Sequence, residues 1–310
     1  MKENNFISAV IYIHNNEKQI SEFLKKTHSV LEENFKHYEI ICVDDYCMDG
    51  SVDCIRKFAN TINQSVISII HMSYYQGREL SMNAGIDLAI GDFVLEFDTV
   101  MMDYEPDLVM QVYFKSLEGF DVVNAVPKGK CKKSSKLFYA IFNRFSNPQY
   151  ILTTESFRIT SRRVINRVHA ASKTIPYRKA LYSKSGLKQA RIDYKPVVSL
   201  CERDTTESKK VKKELAMDSI ILFTDVAYRF SIVMSVLMML STILVGVYTM
   251  VIFLSGTPQA GWTTTMFFLS FCFFGVFVVL SIMLKYLSLI VNLIFKKSKY
   301  IFESIEKISK

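Results

Sequence analysis

The sequence predicts an α/β protein. Residues 1–215 form a mostly parallel sheet with helices on both faces, followed by an amphipathic interface helix at 216–230, a two-helix transmembrane hairpin at 231–295 and a basic tail at 296–310. Three observations carry this expectation. Short apolar runs alternate with segments of helical period, the βαβ signature of a parallel sheet. The first strands run into polar or acidic clusters at one common edge. Two stretches, 232–254 and 264–284, carry no charged residue, and each is long enough to cross a hydrocarbon core of roughly 30 Å.

Composition bounds the function. The chain has 310 residues, 50% of them hydrophobic, and a mean hydropathy of +0.17, so it holds a full core with apolar material to spare. The formal net charge of +8 gathers in Lys and Arg clusters at 128–136, 158–167, 208–213 and 296–299, beside hydrophobic segments. That placement suits lipid head groups or phosphate better than a duplex groove, and without an aromatic-basic motif nucleic acid is set aside. Six cysteines show no CxxC pair and no metal-ligand spacing, and are read as reduced structural thiols. The five histidines are scattered, and none is assigned to catalysis. Residues 1–6 carry no signal pattern, so the N-terminal domain is expected to stay where it is made.

In chain order, Ile7 to Ile13 is a β-rich run broken by His14-Asn15-Asn16-Glu17, and a helix follows with Ile20, Phe23, Leu24, Val30 and Leu31 at helical spacing. Tyr38 to Val43 is a second apolar strand that ends in Asp44-Asp45. Those carboxylates offer only acceptors, suited to a ribose hydroxyl or a base N–H, and their mutual repulsion calls for a ligand or a cation. Asp49 and Ser51 are read as caps of the next helix. Ser65 to His71 makes a third strand, and Gln76 to Ala89 a helix that Gly91-Asp92 ends. The stretch Gly91 to Asp107 organises the rest: Phe93, Val94, Leu95 and Phe97 form a buried strand carrying Glu96, and Asp98 stands at its C-terminal edge, where open α/β sheets collect ligands.

The stations HNNE (14–17), VDDYCMDGS (43–51), GRELSMNAGIDLAIGD (77–92), FD (97–98), SKLFYAIFNRFSN (135–147) and ESFRITSRRVIN (155–166) together resemble family 2 glycosyltransferases with a GT-A fold, nearest to polyprenyl-phosphate sugar transferases of the dolichol-phosphate mannose synthase type. The resemblance covers about residues 1–168. It implies that Asn15 and Glu17 flank a nucleotide, that Asp44 and Asp45 hold its base and ribose, and that Gly77 and Arg78 lie beside it. It makes Asp98 the first acid of a metal motif for Mg²⁺ or Mn²⁺. Arg158 and Arg162, with Arg144 as a weaker candidate, would meet the sugar-nucleotide diphosphate or the lipid phosphate.

The departures fall on the metal motif. Where the family has Asp-x-Asp followed by Gln, this chain has Asp98, Val100 and Met102, and hard cations want oxygen ligands that neither Val nor a thioether supplies. Glu96, on the same strand face as Asp98, or Asp103 nearby, is the candidate substitute ligand. The family's Gly-Ser after the paired Asp is here Tyr46-Cys47. A lipid phosphate is already ionised near neutral pH and needs little base catalysis, but a leaving diphosphate needs a cation or an arginine clamp. Arg158, Arg162, Arg163 and the Lys128 to Lys136 cluster are candidates for that clamp.

Further along, Tyr177 to Leu187 and Ile192 to Val197 suggest a helix and a strand, and Glu202 to Lys213 reads as an exposed linker or a loop over the site. Met217 to Phe230 has the pattern of an interface helix. Arg229 precedes the first span and Lys285, Lys296, Lys297 and Lys299 follow the second, while the turn between is uncharged, so both termini and the soluble domain are expected on the cytoplasmic side. Tyr286 to Phe295 continues as an apolar helix, and Tyr300 to Lys310 is expected to be an amphipathic tail on the membrane surface. Pairing of hairpins between protomers stays open, since no small-xxx-small seam specifies it. The reading is a membrane-anchored transferase moving a sugar from a nucleotide sugar to a polyprenyl phosphate, with a catalytically weak or inactive membrane scaffold as the alternative.

Overall fold

The computed structural model describes residues 2–62, 66–129, 139–140, 142–144, 150, 152–171, 177–197, 262–295 and 300–308, with scattered positions between 230 and 247. The chain divides into two compact units, residues 1–216 with 297–310, and residues 217–296.

The first unit is an α/β sheet protein, as expected. Its elements are β1 (Ile7–Ile13), α1 (Glu17–Asn34), β2 (Tyr38–Asp44), α2 (Ser51–Ala59), β3 (Val66–Met72), α3 (Arg78–Leu88), β4 (Phe93–Phe97), α4 (Leu108–Leu117), β5 (Val122–Pro127), β6 (Phe157–Ser161), α5 (Arg162–Ala171), α6 (Arg178–Lys184), β7 (Gln189–Tyr194) and, after the second unit, β8 (Phe302–Ile308). The described strands form one eight-stranded sheet in the order β7-β5-β6-β4-β1-β2-β3-β8. β1, β2, β3 and β4 run parallel, β6 runs antiparallel to β4 and β5, and β7 is parallel to β5. Continuous apolar runs such as Ile7–Ile13 suit this arrangement because strands covered on both faces have no solvent side to alternate toward.

Two apolar layers hold the sheet. One packs Ile20, Phe23, Leu24 and Leu31 of α1 and Val109 and Val112 of α4 against Ile7, Ile11, Leu95 and Phe97. The other sets Met82 and Ile86 of α3 against Val10, Ile41, Val43 and Val94. At Gly85 the helix comes so close that an added Cβ would stand 2.4 Å from Val10 Cγ1 and 2.7 Å from Val43 Cγ2. The N-terminus of α3 is thereby pinned at the carboxyl edge of β1 and β2.

The chain leaves β1 for β2 and β3 on one side and places β4 on the other, so the topological switch lies between β1 and β4. Ligands of open α/β sheets bind outside the strand carboxyl ends at such a point. His14 to Glu17 and Asp98 therefore flank it.

The tail corrects the sequence reading. Rather than an amphipathic surface segment, Phe302–Ile308 is a strand paired antiparallel with β3. Its apolar residues Phe302, Ile305 and Ile308 recur every third position, which imitates a helix face, but the open edge of β3 offers unpaired backbone groups that only a strand can satisfy. The strand is tied to the site edge by side chains. His71 hydrogen-bonds Asp44 Oδ2 through Nδ1 (2.9 Å) and Glu306 Oε2 through Nε2 (3.2 Å), and Arg56 pairs with Glu306 at 2.9 Å. Tyr300 donates to Asp87 (2.9 Å), and Gln76 exchanges hydrogen bonds with the Ile301 backbone.

In the second unit, α7 (Trp262–Phe295) runs 34 residues as one helix, covering the expected span 264–284 and its continuation to Phe295. Among the residues described there, no helix is long and apolar enough to cross a membrane. The interface helix at 217–230 and most of the first expected span, 232–254, lie outside the described residues, as does Glu202–Lys213.

The hydrogen bond to Asp44, with a further contribution from Glu306, raises the His71 pKa above its ordinary 6.5, against the lowering effect of burial. A raised imidazole pKa stabilises the fold below the unfolded value and loses that contribution as pH climbs through the folded value. His71→Gln should therefore lower the melting temperature more at pH 6 than at pH 8.5. An equal loss at both pH values would show that the bridge is not charged.

Candidate active site

Asp98 follows β4, and Arg158 on the neighbouring β6 faces Glu96 in the strand register. These residues sit in a buried ionic network. Arg158 Nη2 donates to Asp98 Oδ2 (2.9 Å) and pairs with Glu155 (2.8 Å), and its Nη1 lies 3.5 Å from Glu96 Oε2. Arg178, the first residue of α6, donates from Nη2 to Asp98 Oδ1 (2.7 Å), from Nη1 to Glu96 Oε2 and from Nε to Glu79 Oε2 (3.2 Å). The Tyr182 hydroxyl donates to Glu96 Oε1 (2.8 Å), as does Thr160 (3.1 Å), and the Tyr182 ring lies 5.7 Å from the Arg158 guanidinium. Lys179 pairs with Glu155 at 3.1 Å.

Both arginines are 1% exposed. Guanidiniums survive such burial only when paired and hydrogen-bonded. The titration shifts agree with the geometry. Burial pushes the Asp98 carboxyl up, but Arg178 and Arg158 overcome it and hold the group well below the carboxylate range. Burial opposes the charge of Arg158, and Glu155, Glu96 and Asp98 restore it; Arg178 is held likewise by Glu79, Asp98 and Glu96. Asp98, Arg158 and Arg178 are therefore ionised at neutral pH.

The expected metal ligands do not assemble. The four oxygens of Glu96 and Asp98 all accept from protein donors, Val100 is packed in the core, and Met102 lies against it. Asp103 accepts from the Tyr194 hydroxyl of β7 (2.8 Å). Among the described residues no three His, Cys, Asp or Glu side chains are placed to hold a metal ion. The donor set does not fit Mg²⁺ or Mn²⁺, because all four oxygens of Glu96 and Asp98 and the Oδ1 of Asp103 are committed to hydrogen-bond donors.

Arg162 is also displaced from its expected place. β6 runs antiparallel to β4, so residue 162 lies about 13 Å from residue 158 along the strand. Its guanidinium donates to the Ala89 carbonyl (2.8 Å) and to the Gly91 carbonyl (3.0 Å), closing the C-terminus of α3 at the opposite edge of the sheet. Arg144 is exposed, and most of 135–147 lies outside the described residues.

The acidic turn after β2 is turned inward. Asp45 is 0% exposed: Oδ1 accepts from the Gln76 backbone N–H (2.8 Å), and Oδ2 from the Gly77 N–H (2.9 Å) and the Tyr12 hydroxyl (2.9 Å). It clamps the entry to α3 instead of facing a ribose. Gly77 holds φ 84°, ψ 157°, a region that essentially only glycine adopts. Asp44 accepts from the Cys47 N–H (2.8 Å) and from His71. Asn15, at φ 54°, takes the Met48 N–H on its side-chain oxygen (2.8 Å), and Glu17 receives the Gly50 N–H (3.3 Å), so both brace the β1 and β2 loops against each other. Tyr46 has φ 59°, the left-handed conformation that the family's glycine would adopt freely. Arg78, half-buried at the N-terminus of α3, acts electrostatically on Asp98.

Sequence reasoning missed Arg178. The segment Tyr177 to Leu187 reads as a helix, and nothing in its pattern marks one arginine as buried.

The description of glycosyl transferase family 2 matches residues 8–170. The Bacillus subtilis protein named uncharacterized glycosyltransferase YkcC is 27% identical over 223 residues, covering 70% of this chain and 68% of that protein. An undecaprenyl-phosphate 4-deoxy-4-formamido-L-arabinose transferase of Edwardsiella ictaluri is 25% identical over 179 residues. That match covers 55% of this chain and 54% of the relative, so the chain spans about half of it. Among solved structures, the mannosyltransferase PcManGT of Pyrobaculum calidifontis, in complex with GDP-Man and Mn²⁺, overlaps 71% of this chain and 63% of that chain at 13% identity, with a TM-score of 0.49.

Two outcomes follow from the geometry. Arg178→Ala should destabilise the first unit by about 3–5 kcal/mol in chemical denaturation, because it leaves Glu79, Glu96 and Asp98 buried without their shared partner. Tyr46→Gly should be neutral or raise stability by up to about 1 kcal/mol, since it relieves a left-handed backbone at a small entropic cost. A loss above that size would show that the exposed Tyr46 ring is held by packing.

Proposed function

The chain belongs to glycosyl transferase family 2 and is a glycosyltransferase, and from that premise we propose that it moves a sugar from a nucleotide sugar to a polyprenyl phosphate at a membrane. The observation that carries the reading is the placement of the Asp98–Arg158–Arg178 network beside the switch between β1 and β4, on the edge where α3 presents its N-terminus. The eight-stranded sheet is read as the GT-A architecture. The acceptor assignment draws on the likeness to a protein named as an undecaprenyl-phosphate sugar transferase.

In this reading a phosphate oxygen of the acceptor attacks the anomeric carbon. The bond from that carbon to the donor diphosphate breaks as the new bond to the lipid phosphate forms on the opposite face, giving inversion. The nucleophile is already an oxyanion, so no side chain has to remove a proton. The demand falls on the leaving diphosphate. Arg78 at the start of α3 offers a guanidinium beside the positive helix end, while the Gly77 N–H is held by Asp45. Asp98, Arg158 and Arg178 fix the wall behind them.

Membrane anchoring is supported by the chain's own arrangement. Residues 1–216 and 297–310 build one unit, so a chain that enters the bilayer in the intervening segment must return to the side it left. An even number of crossings, with both termini on the cytoplasmic face, satisfies this and agrees with the positive-inside pattern. Along α7, Phe271, Phe273, Phe274, Val276, Phe277 and Leu284 are exposed. Within the same unit the Met238 side chain lies against Gly275 of α7. The Ser281 hydroxyl donates back to the Phe277 carbonyl (2.8 Å), satisfying itself inside its own helix.

The test is transfer of labelled sugar from a panel of nucleotide sugars into undecaprenyl phosphate in detergent or liposomes, read by thin-layer chromatography. A labelled, phospholipid-like product made by the native protein and lost in Arg158→Ala is expected. Nucleotide binding without any lipid product would sink the acceptor assignment, and neither binding nor product would leave the membrane-scaffold reading.

A further inference from the structure

The place that the resemblance reserves for a divalent ion is filled by protein. Asp98 gives one oxygen to Arg158 and the other to Arg178. Glu96 gives Oε1 to Tyr182 and Thr160, and Oε2 to Arg178, with Arg158 3.5 Å away. The next two motif positions, Val100 and Met102, have no oxygen in their side chains. A divalent ion at Asp98 would have to take an oxygen from a guanidinium that is 1% exposed and leave it one carboxylate short.

Charge gives the same answer. Glu79, Glu96, Asp98 and Glu155 are paired directly with Arg158, Arg178 and Lys179, and Arg78 adds its field at Asp98. Four carboxylates thus meet four cations. The excess negative charge that draws a divalent ion into a carboxylate site is absent. A Mg²⁺ or Mn²⁺ ion would need hard oxygen ligands, and the four oxygens of Glu96 and Asp98 already accept hydrogen bonds.

Resting on the donor reading above, we infer that this chain binds the diphosphate of its donor without a divalent ion, with Arg158 and Arg178 standing where the cation would be. Asp98 is then a positioning residue. It holds the two guanidiniums in a fixed plane behind the diphosphate, while the half-buried Arg78 and the N-terminus of α3 face the ligand. Arginine suits the role because its planar fork satisfies two carboxylates at once, which the point charge of lysine does not.

The experiment is calorimetric titration of the full, detergent-solubilised chain with UDP, GDP and common nucleotide sugars, once in EDTA and once in Mn²⁺. Dissociation constants that agree within about threefold between the two buffers are expected. Electron paramagnetic resonance of Mn²⁺ alone should show no ion bound by the protein. Asp98→Asn should tighten nucleotide binding about threefold in both buffers, since it removes a negative charge beside the guanidiniums. Tenfold weakening by EDTA, stoichiometric Mn²⁺ on the free protein, or a tenfold loss in Asp98→Asn confined to the Mn²⁺ buffer would each overturn the inference and leave the donor reading standing. Absence of binding for every nucleotide in both buffers would overturn the donor reading and this inference with it. The first two measurements use the native chain, so they decide the matter even if Asp98→Asn does not fold.

Discussion

Two buried guanidiniums govern this structure. Arg158 and Arg178 each meet three acidic side chains, and together they tie β4, β6, the start of α6, the first turn of α3 and the segment before β6 to one point. A buried arginine without partners costs several kcal/mol, and so does a buried carboxylate. Neither sign can leave without stranding the other. The network is therefore weak evidence for high stability and strong evidence for fixed geometry. Asp98 is the partner of two buried cations, whereas Val100 and Met102, with no oxygen in their side chains, have no part in the network.

The second constraint lies one strand away and uses the same economy of acceptors. Asp45 spends both oxygens on Gln76, Gly77 and Tyr12, which fixes the entry to α3 against β1. Asp44 is tied through His71 to Glu306 on the C-terminal strand. The edge of the sheet is thus braced from inside, by Asp45, and from the far end of the chain, by β8. The strained Tyr46 is tolerated because the groups on either side of it are already held: the Asp45 carbonyl is met by His14 Nδ1 at 2.8 Å, and the Cys47 N–H by Asp44.

The strands and their common edge were legible in the sequence because burial on both faces writes itself as unbroken apolar runs, and Asp98 with Arg158 was found at that edge. The partners were not legible. Arg162 follows Arg158 by four residues, and only the antiparallel sense of β6 sends it to the opposite end of the sheet. Arg178 sits in a helix of ordinary pattern, and its burial depends on three acids far from it in sequence. Asp45 resembled a ligand-facing acid because a lone sequence shows an acceptor but not the three donors that reach it. The tail misled for a sharper reason: apolar residues at every third position give a helical period, and the unpaired edge of β3 overrides that local signal.

A cation that belongs to the fold behaves differently from one that is borrowed. A divalent ion arrives with the donor, and it is set by coordination geometry that the bound diphosphate helps to complete. Guanidiniums locked by Glu79, Glu96, Asp98 and Glu155 are in place before any ligand arrives, so their field needs no reorganisation when charge develops on the leaving group. The cost is reach. Arg158 and Arg178 are fully buried and cannot follow a departing diphosphate, so on the proposed reading the group able to move with it is the half-buried Arg78. On the proposed reading burial divides the labour: a fixed inner wall would set the potential, and the half-buried Arg78 would make the contact.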